Sequence, residues 1–352
     1  MPSAVTVRLR VEQGEPAAPD QAALAATVDS IAAVQLPSGF IPWFEGGHGD
    51  PWNHVEAAMA LTVGGRRAEA EAAYAWLKAT QRPDGAWHQY YRGAAVEEAT
   101  LDANVTAYVA TGVWHHFVGT RDRGFLEAMA PTVAAAIGFV LDLVRPDGTI
   151  TWARQADGTP ASFALLTASS STLMSLRAAS ALAGVLDWDH GHWDRAARRL
   201  ATAIATMPGA FAPKRRWAMD WYYPVMVGAV RGLEAKRHLA ARRADFIVDG
   251  RGIRCVSDSD WVTTAETCEC ALAHLVAGER NKALELWHQA QHLRDTGGRY
   301  FTGMVHPQQV TFPTGERSTY GAAAAVLAAD ALWGDGPTAS VLLDLGRGAC
   351  DR

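Results

Sequence analysis

The sequence predicts an all-α fold, an (α/α)6 toroid in which six helical hairpins build an inner and an outer ring of helices around one cavity. Alanine-rich amphipathic segments recur along the whole chain, and loops rich in Gly, Pro, Asp and Trp separate them. The segments are of two kinds that alternate strictly, six of each, so that the repeating unit is a helical hairpin with its loops. Six hairpins are enough to close a ring, which favours the toroid over an open helical solenoid.

Segments of the first kind carry Arg, Lys and Glu along one face, as helices do that expose one side to water. They are expected to form the outer ring: Gln21–Val34, Ala68–Thr80, Phe125–Val144, Trp193–Met207, Ala235–Ile247 and Lys282–Leu293. Segments of the second kind are almost entirely small or apolar, as helices are that are buried all round. They are expected to form the inner ring: Pro51–Thr62, Ala103–His116, Ser169–Ala183, Tyr222–Leu233, Thr263–Val276 and Ser318–Leu332. Short strands are predicted at Gly148–Trp152 and Tyr300–Val305.

The toroid is expected to span residues 21–335, with an N-terminal extension at 1–20 and a C-terminal tail at 336–352. Charged residues make up 20% of the 352 residues and the formal net charge is -5, which gives no basic surface for nucleic acid. No run is expected to reach the length of a membrane span. The four cysteines form no Cys-x-x-Cys pair and are interpreted as reduced thiols of a cytoplasmic protein: Cys255, Cys268, Cys270 and Cys350.

The loops that precede the inner helices are the first place to look for function. All inner helices of such a ring run the same way, so their N-termini and the partial positive charge of those N-termini surround one mouth. Carboxylates, histidines and aromatics are concentrated in these loops. The candidate substrate-binding residues are Trp43, Asp50, His54, Glu56, Trp87, His88, Trp152, Trp221, Tyr222, Tyr223, Asp258, Asp260 and Trp261, and the candidate catalytic residues are Asp102, Asp220, Glu266 and Glu316.

Several of these candidates have a structural alternative. Asp50, Asp102 and Asp220 could serve only as N-caps of the inner helices, and His54 could be a core residue. Glu56 and Glu266 lie one turn inside apolar helices, where an unpaired carboxylate is costly, so both are expected to face the cavity. The sequence has no metal-ligand spacing, no Gly-rich phosphate loop and no Gly-x-Ser-x-Gly motif, and no metal or cofactor is predicted.

Most of the chain resembles the six-hairpin glycosidases, and in particular the glucoamylase-like family 15 glycoside hydrolases. Residues 49–87, 101–117 and 122–148 follow the order and spacing of those proteins, including the turns Pro83-Asp84-Gly85 and Pro146-Asp147-Gly148. The resemblance implies an inverting mechanism with two carboxylates.

In that family the acid belongs to a Trp-Glu-x-Arg motif after the third outer helix. The corresponding residues here are Trp152-Ala153-Arg154-Gln155, so the glutamate is replaced by Ala153. The family's base sits at the start of the sixth inner helix, where this chain has Glu316. The resemblance therefore implies a base at Glu316 and leaves the acid to be supplied elsewhere.

A shorter stretch resembles one QW repeat of the squalene cyclase and protein prenyltransferase superfamily, which is also built on (α/α)6 toroids. The matching residues are Tyr74-Ala75-Trp76-Leu77, Gln81, Gly85 and Trp87. Asp258-Ser259-Asp260-Trp261 has only the first and third positions of the Asp-x-Asp-Asp motif of class II cyclases. This resemblance implies an isoprenoid substrate, although the Gln and Trp also serve hairpin packing.

These observations favour a carbohydrate-active enzyme that acts on a glycosidic bond of an oligosaccharide or glycoside. Glu316 is the predicted base and Asp102 the predicted acid, with Asp220 or Glu266 as alternatives for the acid, and the loop tryptophans are expected to stack on sugar faces. Two other functions stay open. One is an isoprenoid enzyme, for which the mouth is too polar, and the other is a non-catalytic glycan-binding toroid, which the missing glutamate would favour.

Overall fold

The computed structural model describes residues 17–334 and 336–347. The α-helices are α1 (Gln21–Ala32), α2 (Pro51–Val63), α3 (Arg67–Thr80), α4 (Ala103–Ala107), α5 (Val109–Thr120), α6 (Arg123–Leu141), α7 (Leu166–Val185), α8 (Gly191–Thr206), α9 (Met219–Met226), α10 (Gly232–Ala241), α11 (Arg243–Phe246), α12 (Thr264–Val276), α13 (Arg280–Ala290), α14 (Thr319–Trp333) and α15 (Pro337–Arg347). The strands are β1 (Tyr90–Arg92), β2 (Ala95–Glu98), β3 (Leu101–Asp102), β4 (Ala153–Arg154), β5 (Ile247–Val248), β6 (Gly252–Ile253), β7 (Trp261–Thr263), β8 (Gly303–Val305) and β9 (Val310–Thr311).

The inner helices form a closed ring. Helix α2 packs on α5, and the contacts continue through α7, α9, α12 and α14 back to α2. The last contact is fastened at the mouth, where the Thr319 hydroxyl donates to the carbonyl of Pro42 over 2.7 Å and the Thr319 amide to that of Trp43. The predicted (α/α)6 toroid is therefore confirmed, with six outer–inner hairpins within the described residues, and the solenoid alternative is wrong.

Four predicted elements differ from the structure. The second inner helix is broken at Tyr108 into α4 and α5, and the fifth outer segment is broken at Arg242 into α10 and α11. The fourth inner helix ends at Met226, short of the predicted Leu233, because Gly228 takes a left-handed conformation with φ 66°. The strand predicted at Gly148–Trp152 is reduced to one bridge between Val144 and Ile150.

Two outer helices end in the same glutamine-and-glycine turn. The side-chain amides of Gln35 and Gln81 each donate at 2.9 Å to the carbonyl of the glycine four residues later. The same amide nitrogens also donate at 2.9 Å to a carbonyl of the following outer helix, α3 for Gln35 and α6 for Gln81. Each glutamine therefore fastens its own turn and ties one outer helix to the next.

The glycine of this turn approaches the neighbouring helix too closely for any side chain. Gly85 has φ +87°, and a β-carbon placed on it would lie 2.2 Å from the carbonyl oxygen of Ala135 in α6. Trp87, which follows the turn, is fully buried and donates from Nε1 to the carbonyl of Leu77 at 3.0 Å. The residues that resemble a QW repeat therefore serve hairpin packing.

The end of the ring opposite the mouth is closed by α15. This helix, which lies within the segment assigned to a C-terminal tail, packs against α5, α7, α12 and α14. Its first turn is held by the Thr338 amide, which donates to Asp330 Oδ2 at 2.9 Å, and by the Thr338 hydroxyl, 3.1 Å from His115 Nε2. The central cavity is thus open at one end only. Residues 1–16, most of the assigned N-terminal extension, lie outside the described residues.

Helix α6 is, by length and composition alone, long and apolar enough to cross a membrane, with 19 residues and a mean hydropathy of 1.7. This differs from the expectation that no run approaches that length. Half of that hydropathy window is buried, and α6 packs against α5 and α7 as an outer helix of the ring. Cys255, Cys268 and Cys270 are free and buried, and Cys350 lies outside the described residues. The cytoplasmic location stays a prediction.

We predict that Gly85→Ala lowers the free energy of unfolding by about 2–5 kcal/mol, since a left-handed backbone costs about 1–2 kcal/mol and overpacking about 1–3 kcal/mol more. Gly93→Ala is the matched control, because Gly93 also has a positive φ, +57°, but a β-carbon there meets nothing within 4 Å. Urea denaturation of both variants measures the difference. Equal losses in the two variants would show that the approach to Ala135 carries no cost.

Candidate active site

A cavity of about 470 Å³ occupies the mouth of the ring, at the N-terminal ends of the inner helices. Among the described residues, five carboxylates line it: Asp50, Glu56, Asp102, Glu266 and Glu269. Six large aromatic side chains line it as well: Trp43, Trp52, Tyr90, Trp217, Trp261 and Tyr320. The prediction that carboxylates and tryptophans from several hairpins meet at one mouth is therefore confirmed.

Asp50 is placed on the cavity wall by its position before the first inner helix. Its Oδ1 caps α2 by accepting the amide hydrogen of Asn53 at 2.9 Å. Its Oδ2 accepts from the Asn53 side-chain amide at 2.6 Å and from Trp43 Nε1 at 2.7 Å. Burial raises the pKa of Asp50, and these hydrogen bonds oppose the rise. Asp50 is therefore an N-cap and a cavity residue at once.

Asp102 repeats this arrangement on the next hairpin. Its Oδ1 accepts the amide hydrogens of Asn104 at 2.7 Å and Val105 at 3.1 Å, which caps α4. Its Oδ2 accepts a single hydrogen bond, from Trp152 Nε1, and so keeps a free position for a proton. Burial is the main cause that raises the pKa of Asp102 to about 6, and the negative charge of Asp50 adds to the rise. Asp102 can therefore hold a proton close to neutral pH.

Glu56 and Glu269 form the floor of the cavity, facing each other from α2 and α12. Glu56 Oε1 accepts from Trp52 Nε1 at 3.0 Å and from the Tyr108 hydroxyl at 3.2 Å. Burial raises the pKa of Glu56 well above its usual range, and the charge of Glu269 raises it further. Glu56 was predicted to face the cavity, and it does.

Glu269 is the functional residue that the sequence analysis missed. The hydroxyls of Tyr222 and Tyr223 donate to its two oxygens, over 3.0 Å in the case of Tyr223. Burial, the main cause, raises its pKa to about 8, and the charge of Glu266 adds to the rise. The available signal was its spacing of three residues from Glu266, which puts both carboxylates on one face of α12.

Glu266 lies above Glu269 on α12 and is the most accessible of the five, being only half-buried. The hydroxyl of Thr263, the last residue of β7, donates to its Oε2. Strand β7 pairs with β8, so that Trp261, at the start of the strand, is held at the mouth on the same side as Glu266. Glu266 therefore faces the cavity, as predicted.

The structure corrects three of the predicted substrate-binding residues. His54 is fully buried, its Nδ1 accepts the amide hydrogen of Ile41 at 3.0 Å, and its Nε2 donates to the carbonyl of Ala73. Burial lowers the pKa of His54 to about 4. Trp87 and Trp221 are equally inaccessible, and each indole donates to a backbone carbonyl. All three pack between the rings, where no ligand can reach them.

Tyr222 and Tyr223 are also fully buried, beneath the floor. They act on the cavity through Glu269 and, for Tyr223, through its edge-to-face contact with Trp52, so the structure corrects their predicted direct contact with substrate. His88 does not line the cavity, and its Nδ1 lies 3.1 Å from the carbonyl of Ala99 and its Nε2 3.2 Å from Arg82.

Two of the predicted catalytic residues lie outside the cavity lining. Asp220 was expected to cap the fourth inner helix, but it accepts instead from the amide and the hydroxyl of Thr167, over 3.2 and 2.6 Å. Glu316 does not line the cavity, and its Oε1 accepts from the hydroxyl of Thr302, which does, at 2.8 Å. Asp220 thus joins two hairpins, and Glu316 lies next to the cavity lining rather than in it.

The two aspartates of the predicted Asp258-Ser259-Asp260 motif point to the rim and are neutralised there. Asp258 pairs with Arg216 at 2.9 Å and Asp260 with Arg254 at 2.8 Å. Neither lines the cavity. Within residues 17–334 and 336–347, no group of three or more His, Cys, Asp or Glu side chains is arranged to hold a metal ion.

We predict that Glu269→Gln raises the melting temperature at pH 8.5 and changes it little at pH 5. The folded-state pKa of about 8 lies above the ordinary value of 4.5, so native-state stability falls as pH rises through this interval. Glutamine keeps the shape, accepts from one tyrosine hydroxyl and can donate to the other, but has no charge to bury. Thermal unfolding at the two pH values tests this, and an equal shift at both would mean that Glu269 titrates in its ordinary range.

No family model matches the chain. A relative from Mycolicibacterium hassiacum, an MMP endo-(1,4)-3-O-methyl-α-D-mannosidase, is 50% identical over 306 residues, which cover 87% of this chain and 85% of the relative. This likeness supports the carbohydrate-active hypothesis over the isoprenoid and non-catalytic alternatives.

Two solved structures share the fold at low sequence identity. A glycosidase superposes with a TM-score of 0.67 at 14% identity, over 89% of this chain and 97% of its own. A GH63 mannosylglycerate hydrolase from Thermus thermophilus superposes with a TM-score of 0.65 at 12% identity, over 87% and 99%. With the half-identical relative, these observations show that the chain belongs to the family of the M. hassiacum mannosidase and is a carbohydrate-active enzyme that acts on glycosidic bonds.

Proposed function

We propose that the protein hydrolyses internal α-(1→4) linkages in chains of 3-O-methyl-mannose. This is the activity for which the 50% identical relative from M. hassiacum is named. The observation that carries the proposal is a single cavity in which carboxylates from three different inner helices meet between tryptophans. Paired carboxylates are what glycoside hydrolysis requires, one to protonate the leaving oxygen and one to activate water or attack the sugar.

Asp102 is the proposed acid. It keeps an open position on Oδ2, and its pKa of about 6 leaves a usable proton near neutral pH. In the β3–β4 ladder Asp102 lies directly opposite Ala153, the position at which the glucoamylase resemblance implied the acid. A carboxyl group is thus present beside the expected place, supplied by the neighbouring strand.

Glu266 is the proposed base, in place of Glu316. It lines the cavity and is half-buried, so a water molecule can reach its carboxylate, whereas Glu316 does not line the cavity and its Oε1 accepts from the Thr302 hydroxyl. Asp102 and Glu266 belong to the second and fifth hairpins, on opposite sides of the ring. Because the cavity lies between them, there is room for water beside the bound sugar, which favours inversion at the anomeric carbon.

We expect Glu266→Gln and Asp102→Asn each to lower kcat by about 10²–10⁴-fold on a 3-O-methylated α-(1→4)-mannose oligosaccharide. Asn keeps the N-cap at position 102, so the loss reports on the proton rather than on folding. Glu127→Gln, on the exposed face of α6, is the matched control and should be fully active. Release of reducing ends measures the rate, and proton NMR of the first product gives its anomeric configuration.

The same assay distinguishes the roles of Asp50 and Asp102. Asp50→Asn should lower the rate less than Asp102→Asn, because it is Asp102 that lies opposite Ala153, the position at which the glucoamylase resemblance implied the acid. A larger loss for Asp50→Asn would transfer the role of acid to Asp50. Full activity of Glu266→Gln would overturn the assignment of the base.

A further inference from the structure

Exposed aromatic side chains stand on both sides of the catalytic cavity. Large apolar side chains that stay exposed in contiguous groups commonly mark a binding surface. Here Phe163, Trp217 and Phe312 expose 36, 40 and 55% of their surface. All three belong to the mouth of the ring. Trp217 lines the cavity, Phe312 contacts the cavity-lining Trp261, and Phe163 contacts Trp152, which donates to Asp102.

The first group, the acid-side platform, consists of Trp152 and Phe163. Their rings are stacked, with centroids 5.4 Å apart and planes at 14°, and the Trp152 amide donates to the carbonyl of Phe163 at 2.9 Å. The indole Nε1 of Trp152 donates to Asp102. The platform is therefore fixed to the proposed acid and leaves the Phe163 ring accessible beside it.

The second group, the base-side platform, consists of Trp217, Trp261 and Phe312. Trp261 Nε1 donates to the carbonyl of Phe312 at 2.9 Å, and the two rings meet edge to face at 5.4 Å. A β-carbon on Gly303 would lie 2.4 Å from Trp261 Nε1, so this glycine makes room for the indole. Trp217 and Trp261 both line the cavity, on the side of Glu266.

The charged groups near the base-side platform are paired with each other. Arg216 and Arg254, which flank Trp217 and β7, form the ion pairs with Asp258 and Asp260 described above. Arg216 lies over the ring of Trp217, with Cζ 5.8 Å from its centroid, so that a paired cation covers part of this ring. The ring of Phe312 is the exposed apolar part of the platform, and among the described residues both carboxylates of this motif are paired. Such a surface suits sugars in which a methyl ether replaces a hydroxyl, because it offers stacking and apolar contact in place of hydrogen bonds.

We propose that the two platforms bind a 3-O-methylated α-mannose chain on both sides of the bond that is cut, and so make the enzyme cleave within chains. The inference rests on the function proposed above. A chain that crosses the mouth places sugar units over Phe163 on one side of the cavity and over Phe312 and Trp217 on the other. Within the described residues α15 covers the opposite end of the ring, so a chain bound at the cleavage point extends along the mouth.

The test uses binding, so that it does not depend on turnover. In a Glu266→Gln background, Phe163→Ser and Phe312→Ser should each weaken the affinity for a long 3-O-methylated α-(1→4)-mannose oligosaccharide about tenfold, the equivalent of one lost aromatic contact. The loss for the corresponding disaccharide should be smaller, because it cannot reach both platforms. Phe312→Tyr keeps the ring and should restore the affinity. Isothermal titration calorimetry measures all of these.

Trp188→Ser and Leu233→Ser are the controls, since these side chains are exposed by 39 and 63% but follow the C-terminal ends of inner helices, away from the mouth. Neither should change the affinity. Losses as large for the disaccharide as for the long chain, or losses in the controls, would overturn the two platforms. If binding depends on the platforms but the unsubstituted enzyme does not hydrolyse 3-O-methylated α-(1→4)-mannose chains, the two platforms stand and the proposed function is refuted.

Discussion

The capping of the inner helices at one mouth is the interaction on which the rest of the site depends. Each inner helix starts with free backbone N–H groups, and Asp50 and Asp102 satisfy those of two neighbouring helices. Because closure of the ring brings these helix starts together, the same carboxyl groups that stabilise the helices form one wall of the cavity. Burial raises the pKa values of both aspartates and the N–H donors lower them, and the net result for Asp102 is a pKa of about 6.

The floor of the cavity follows a different principle, since its carboxyl groups have no helix N-terminus to stabilise a charge. Glu56 and Glu269 face each other from opposite helices, supported only by indole and phenol donors. Burial raises the pKa of both groups, and a neighbouring charge adds to the rise in each case, that of Glu269 for Glu56 and that of Glu266 for Glu269. The cavity therefore combines a deep floor, where ionisation is disfavoured, with a mouth at which Glu266 is accessible to water.

The ring and its polarity could be predicted from the sequence, because helix periodicity and the alternation of apolar and charged segments report directly on burial. Glu56 and Glu266 could be predicted as well, since a carboxylate inside an apolar helix needs a cavity or a partner. Trp87 and Trp221 could not be distinguished from Trp261, because the three lie in a loop, a helix and a strand respectively, and only tertiary packing decides whether each indole meets the cavity or the core between the rings. The QW-like residues show the same limit: they match a superfamily through the turn at Gly85, which is a packing device and carries no chemistry.

Because α15 covers one end of the ring, the described residues leave the central cavity open at the mouth. A polysaccharide cannot pass through the centre of the ring, because α15 covers the end opposite the mouth and is held there by the contacts of Thr338 with His115 and Asp330. Substrate has to enter the cavity through the mouth, and under the function proposed above both products of a cut would leave through the same opening.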